Sequence, residues 1–363
     1  MGDEAAIQKV MDGSVWDEFC DRLKQAGRQI IEAAPEDPFD RAEGLRYLGR
    51  LTRNFLDAGI EASSAGDVRI TTASVKIGLD NPDYVYASAR LASDAEYRLT
   101  GRMGDAHLLG IGIFSGALGS ERGLIRDAYL SSDDLALEPD GSFEIAISRE
   151  EKPGNWLRMG EATNTLNVRQ TLMRRREQQP AELAIERLDA APAPAPLDPA
   201  SFARSLERAG QTVGAVVGQF LGWTASFEAH THEVRPLDPK FLAVAQGDPN
   251  TSYNYSYWQI GEDEAFVVDL QPPENCSYWN LQIGNHWLES LDFMNRDTHV
   301  NQETAVRAAD GSVRVVIAAR DPGVPNWLDT AGHLRGALAL RWVGAGEEPP
   351  LPTTRVLPLA DLA

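Results

Sequence analysis

The chain reads as mainly β, with N-terminal and linking helices and two tandem β-sandwich or jelly-roll-like units from an internal duplication. Three observations predict this. First, Val68 to about Arg175, and again Lys240 to Val343, show short β-branched and aromatic runs alternating with Gly, Asp-Asn-Pro and Asp-Gly turns. That is the pattern of antiparallel strands. Second, the two stretches share landmarks at near-constant spacing: Tyr84 and Tyr86 of NPDYVYASARL recur 169 residues later as Tyr253 and Tyr255 of DPNTSYNYSYWQI. DGSFEIAISREEKPGNWL likewise recurs as DGSVRVVIAARDPGVPNWL, with Asp140 matching Asp310 and Asn155-Trp156 matching Asn326-Trp327. Two similar modules in one chain are the simplest meaning of such spacing. Third, residues 191–196 read APAPAP, a stiff extended connector that no helix or central strand tolerates.

Taken in order, residues 1–60 form a helical segment. Ser14 followed by Asp17 suits a helix start, and Trp16, Phe19, Cys20, Leu23, Ile30 and Ile31 recur at helical spacing. Pro35 and Pro38 end that helix; a second runs from Asp37-Pro38 to about Gly59, with Leu45, Leu48, Leu51, Phe55 and Leu56 on one face. Residues 66–185 form the first β copy, the scaffold, with seven or eight strands. A linker and helix occupy 186–230, the helix opening at Asp198-Pro199 with Phe202, Leu206, Val213 and Phe220 on one stripe. The second β copy covers 240–345, and 346–363 is a tail. In each copy Asp-Gly supplies the positive φ of a hairpin turn, and the Trp after Asn is expected to fill the core.

The 363 residues, 43% hydrophobic and 24% charged, leave room for two cores and argue against disorder. Lys+Arg at 34 against Asp+Glu at 54 gives a net charge of −20. Such a field repels phosphate backbones and anionic lipid heads, so neither nucleic acid nor membrane is expected as a partner. The opening MGDEAAIQKVMDG has acids where a signal peptide needs bases. The most apolar stretch, Val213 to Trp223, is about half the ~20 residues a spanning helix requires. The two cysteines, Cys20 and Cys276, form no CxxC pair, which speaks against a disulfide scaffold or a cysteine zinc site. The cytoplasm is the expected location.

The copies differ in chemistry. Trp258, Trp279, Trp287, Trp327 and Trp342, with His286, His299 and His333, fall in the second, against Trp156 and His107 in the first. This asymmetry points to one scaffold copy and one site copy. The strings CSYWNLQIGNHWLESLDF and VNQETAVRAADGSVRVVIAARDPGVPNWLDTAGHLRGALALRWV resemble the bacterial family catalogued as domain of unknown function 1214, over about residues 250–345. The resemblance implies an all-β, jelly-roll-like fold of unsettled activity, similar to that of some glycan-processing enzymes.

Three clusters are candidates for chemistry. Asp329 and His333 sit four apart after the Asp321-Pro322-Gly323 turn, where the carboxylate could orient the imidazole as a general base or both could cap a turn. If Leu281 to Ser290 is a strand, Asn285, Trp287 and Glu289 face one side, with Asp292 at its end. That suits either a polar-ring pocket or a solvated strand edge. His230 and His232 with Glu233 resemble a metal motif but lack a convincing further ligand, so no metal and no cofactor are expected. The favoured reading is a metal-independent hydrolase or lyase acting on a polar small molecule or glycan. Asp292, Asp329 and His333 would be its acid/base groups, and Trp279, Asn285, Trp287 and Asn326 would form the pocket. The alternatives are a non-catalytic module binding a carbohydrate or other small molecule, and an interaction protein whose sheet edges pair into a homo-oligomer.

Overall fold

The computed structural model describes residues 2–60, 68–72, 75–120, 122–189, 196–245, 247–346 and 349–362. Most of the APAPAP connector lies outside the described residues. The protein is mainly β: four sheets hold seventeen strands, against five α-helices among the described residues. The chain divides into two units, one of Met1–Val75, Val85–Leu172 and Gln179–Gln219, the other of Lys76–Tyr84, Met173–Gln178 and Phe220–Ala363.

Helix α1 (Asp3–Met11) is short; α2 (Ser14–Ala33), α3 (Pro38–Ile60) and α4 (Pro199–Glu228) are the long helical elements. In α2 the buried residues Val15, Phe19, Ala26 and Ile30 make one stripe. Its start departs from the sequence reading: left-handed Gly13 (φ 79) is the N-cap without a side-chain bond, and Ser14 N donates to Asp12 Oδ1 at 3.0 Å. At α3 the Asp37 carboxylate accepts from Phe39 N and Asp40 N at 2.8 and 3.1 Å, satisfying amides that a first turn leaves free. The buried face of α3 runs through Asp40, Gly44, Tyr47 and Leu51, whereas Leu45 is half exposed; the leucine spacing misplaced the stripe by a residue. Ala6, Phe19, Ala203, Leu206 and Ala209 join these helices in one apolar cluster. Among the described residues no helix is long and apolar enough to cross a membrane.

The first unit carries β1 (Tyr84–Arg90), β2 (Tyr97–Arg102), β3 (Leu108–Gly116), β4 (Leu124–Ser131), β5 (Ser142–Ser148), β6 (Asn155–Arg158), β7 (Thr163–Thr171) and β8 (Glu182–Arg187). They form sheets of order β1-β7-β3-β4 and β6-β5-β2-β8. Leu99, Ile111, Ile113, Ile145 and Val168, alternating along their strands, fill the core between them.

After β9 (Arg235–Pro236) and α5 (Pro239–Ala245), the second unit has β10 (Thr251–Gln259), β11 (Glu264–Leu270), β12 (Tyr278–Ile283), β13 (His299–Asn301), β14 (Val313–Ala318), β15 (Trp327–Asp329), β16 (Arg335–Val343) and β17 (Thr353–Pro358). Its sheets run β13-β12-β16-β10-β9 and β15-β14-β11-β17. Apart from the short β9, the strand order is the same as in the first unit. Both units contain one parallel pair, β5 with β6 and β14 with β15. Trp258, Phe266, Trp279, Leu281, Leu340 and Trp342 lie in the second core.

The shared landmarks do the same work in each unit. Asn155 Nδ2 donates to the Ala136 and Glu144 carbonyls and its Oδ1 accepts from Ala136 N. Asn326 repeats this with Val306 and Arg314. Each amide thus ties a loop to the parallel strand pair. Gly141 and Gly311 have φ of 76 and 83, the left-handed backbone that the Asp-Gly turns require. The tryptophans do not fill the cores. Trp156 and Trp327 are half-buried, and the following Leu157 and Leu328 are the buried residues, because alternation sends successive side chains to opposite faces.

Candidate functional site

The sequence-predicted residues separate into an outer pair and an inner group. Strand β12 stops at Ile283 instead of running to Ser290, and Gly284–Ser290 is a loop closed by a bridge between its ends. Asn285 holds that loop: Oδ1 accepts from Trp287 N and Glu289 N, and Nδ2 donates to Glu289 Oε2, all at 3.0 Å. Asn285, Trp287 and Trp279 are at most 2% exposed, so they pack the interior and do not line an open pocket. His333 is also buried, with Nδ1 2.8 Å from the Thr330 carbonyl. It is therefore a turn-fixing imidazole. Asn326, at φ 56, is the loop tie described above. His232 Nε2 rests on the Gln259 backbone and His230 on Arg235. Among the described residues no group of three or more His, Cys, Asp or Glu is placed to hold a metal.

Asp292 and Asp329 do come together. They line an open depression of about 590 Å3 with Arg176, Asn295, Arg296, Asp297 and Trp327. Asp329 accepts from Arg296 Nη1 at 2.6 Å and from Ala331 N at 2.7 Å. Both oxygens of Asp292 lie 3.0 Å from Asn295 Nδ2. Arg176 donates to the Phe293 carbonyl at 2.7 and 3.1 Å and to the Arg296 carbonyl at 2.7 Å. Its Nη1 also lies 3.4 Å from Asp297 Oδ1, so the guanidinium is fixed on two carbonyls and a carboxylate. The depression thus offers fixed carboxylate acceptors, guanidinium donors and an indole.

A second polar cluster lies on the face of β12 opposite the core. Trp279, Leu281 and Ile283 point inward, so Tyr278, Asn280 and Gln282 share the other face. Register sets Asn280 beside Asn301 and Arg341, and Gln282 beside His299. The segment Lys76–Tyr84 crosses this face. Asp83, fully buried, accepts from Tyr278 Oη at 2.7 Å, His299 Nε2 at 2.9 Å and Asn301 Nδ2 at 2.9 Å. Burial and the adjacent Asp83 carboxylate hold the Tyr278 hydroxyl well above its usual pKa. Asn280 Nδ2 donates to Asn81 Oδ1 at 2.9 Å, Gln282 Nε2 to the Asp80 carbonyl at 2.9 Å, and Arg341 to the Leu79 carbonyl. Leu79 and Leu288, bonded through Leu79 N and the Leu288 carbonyl, both have φ 56. Leucine holds that backbone only where its surroundings impose it.

Comparison with known proteins places this arrangement. Residues 260–347 match the family model described as Protein of unknown function (DUF1214). The crystal structure of an uncharacterized protein from Burkholderia cenocepacia is 42% identical, over 98% of this chain and 100% of that one, with a TM-score of 0.93. This chain belongs to the family of that Burkholderia protein. A crystal structure from Vibrio parahaemolyticus, 13% identical over 93% of this chain and 100% of that one, has a TM-score of 0.52 and shares the fold alone. No curated protein matches the chain. The DUF1214 segment holds Asp292, Asp329, Tyr278, His299 and Arg341 but ends short of the segments that complete both clusters, Lys76–Tyr84 and Met173–Gln178. Alternation within YWNLQI carried a signal for the polar face. The partners of that face, Asn81 and Asp83, stand some 195 residues earlier, where no local pattern announces them.

Proposed function

We propose that the protein is a binding module for a polar, polyhydroxylated small molecule or glycan, held in the depression of the second unit. The observation that carries this is the convergence of Asp292, Asp329, Arg176, Arg296 and Trp327 on one open surface. Hydroxyls bond well to fixed carboxylates and guanidinium groups, and a sugar's apolar face stacks on an indole ring. Binding fits better than turnover because both carboxylates are already bonded to fixed neighbours and the described lining residues include no histidine. The hydrolase reading keeps one observation: two carboxylates share the depression, as glycoside hydrolysis needs.

Titration of the full chain with a panel of neutral and acidic oligosaccharides, followed by isothermal calorimetry, tests the proposal. A ligand should bind with affinity lowered at least tenfold by Asp329→Asn or Arg296→Ala, with no product appearing over hours. Release of a reducing end, abolished by Asp292→Asn, would establish the hydrolase. No binding across the panel would remove both readings.

The two strand sets are further proposed to descend from one duplicated, jelly-roll-like unit, the second copy keeping the site. Identical strand order and the matched bonding of Asn155 and Asn326 support this. Superposing β1–β8 on β10–β17 should lay Asn155 on Asn326 and Asp140 on Asp310; a register offset between those pairs would end it.

A further inference from the structure

We infer that Tyr278, His299 and Asn301 form a carboxylate-binding cradle, which the chain fills with its own Asp83 and which a ligand carboxylate can occupy when Asp83 leaves. This is independent of the depression and of what binds there. The three donors converge on a single carboxylate, one on Oδ2 and two on Oδ1, at 2.7 to 2.9 Å. All three stand on one sheet face, on adjacent strands β12 and β13, so the cradle is built by the sheet, and Asp83 is delivered to it by a segment distant in the chain.

A purely structural role for this face would be met by apolar packing, since burying a carboxylate costs several kcal/mol before its partners offset it (about that much per ion). The first unit does not repeat the set. Its register sets Gly110 beside Ser131 and Gly112 beside Tyr129, where the second unit sets Asn280 beside Asn301 and Gln282 beside His299. Leu108, the residue two before Gly110, stands where the second unit has Tyr278. The donor set is therefore a feature of the second unit alone. The same face also holds acceptors that Asp83 and its neighbours leave unused. Asn280 is fully buried, yet its Oδ1 has no hydrogen-bond partner among the described residues, and neither has His299 Nδ1. Buried acceptors without donors are rare in folded proteins and are explained by an unseen polar group. A small carboxylate is the ligand class that the three donors fit.

Chemical rescue tests this on the full chain. Asp83→Gly empties the cradle and keeps its donors. Sodium formate or acetate should then raise the variant's Tm saturably, by about 3–5 °C at a tenfold excess over the dissociation constant. Sodium chloride at equal ionic strength should not. Asp83→Asn, which leaves an amide in the cradle, and Asp83→Gly combined with His299→Leu should show no formate-specific rise. If Asp83→Gly does not fold in chloride, the inference requires that it refold in formate. Equal response to formate and chloride, or failure to fold in both, overturns it.

Discussion

Asp189 and Asp80 show how differently partners and burial act on the same carboxyl group. The Asp189 carboxylate accepts from Arg187 Nε at 2.9 Å and Nη2 at 2.8 Å, and this bidentate bond lowers its pKa to about 2. For Asp80, burial pushes the pKa up against Lys76 and the bonds from Ser290 N and Oγ. The signs are opposite. A depressed carboxyl adds stability that is present above 3.8 and is lost as pH falls towards about 2. A raised one favours the protonated fold, so stability is lost as pH rises from 3.8 through the folded value. NMR titration should therefore find the Asp189 carboxyl carbon titrating near pH 2, and Arg187→Gln should bring it back towards 3.8. For Asp80, urea unfolding of wild type and Asp80→Asn across pH 3.5 to about 7 should show the difference moving in the variant's favour as pH rises. A pH-independent difference would mean that Asp80 is not strained by its charge. Neither behaviour was readable from sequence, because residue type does not reveal whether a carboxyl meets a guanidinium or a buried strand.

Elements were readable wherever period and punctuation agreed. Helices α2, α3 and α4 carry long apolar stripes with Pro or Asp at their starts, and their existence followed from the residues. Short α1 and α5 did not, since nine and seven residues give a stripe too few repeats to stand out. The supposed strand through Ser290 failed for a similar reason: its apolar and polar residues alternate, but Asn285 bonds locally to the next amides and folds the backbone into a loop. The Asn-Trp landmark was found for the right residue and explained by the wrong one. Asn, not Trp, is the recurrent structural tie. Asn326→Ala removes three hydrogen bonds, each contributing about 0.5–1.5 kcal/mol net, so it should cost about 1–3 kcal/mol in denaturant unfolding. Asn326 also sits at φ 56, so Asn326→Gly is the needed partner, relieving the backbone while still deleting the bonds. If glycine restores wild-type stability, the backbone and not the amide is what matters there. Asn155→Ala should lose a comparable amount through the equivalent bonds.

At the scale of the whole molecule, the second unit is not one stretch of chain. The sequence presents 240–345 as a copy complete in itself, because repeats and family resemblance both mark contiguous residues. The fold adds Lys76–Tyr84 and Met173–Gln178 to it, and these supply groups that the contiguous part cannot provide. Asp83 and Asn81 meet Tyr278, Asn280, His299 and Asn301; the Leu79 carbonyl accepts from Arg341; the Met173 carbonyl accepts from Asn301. Cutting the chain at Phe220 would take one or more hydrogen bonds from a buried arginine and several amides on the polar face. Each such group costs about 1–3 kcal/mol, more where charged, against a total stability of only about 5–15 kcal/mol for a domain. A fragment of residues 220–363 should therefore unfold with a Tm well below that of the full chain, or without a cooperative transition. A synthetic peptide of residues 75–85 should bind it in trans and raise that Tm in proportion to the logarithm of peptide concentration, whereas the same peptide with Asp83→Ala and Asn81→Ala should do so weakly. Calorimetric scans of the fragment at increasing peptide concentration read this directly. If the fragment alone melts cooperatively at the temperature of the full chain, the polar face does not depend on the crossing segment, and the bonds to Asp83 and Asn81 contribute nothing to the unit's stability.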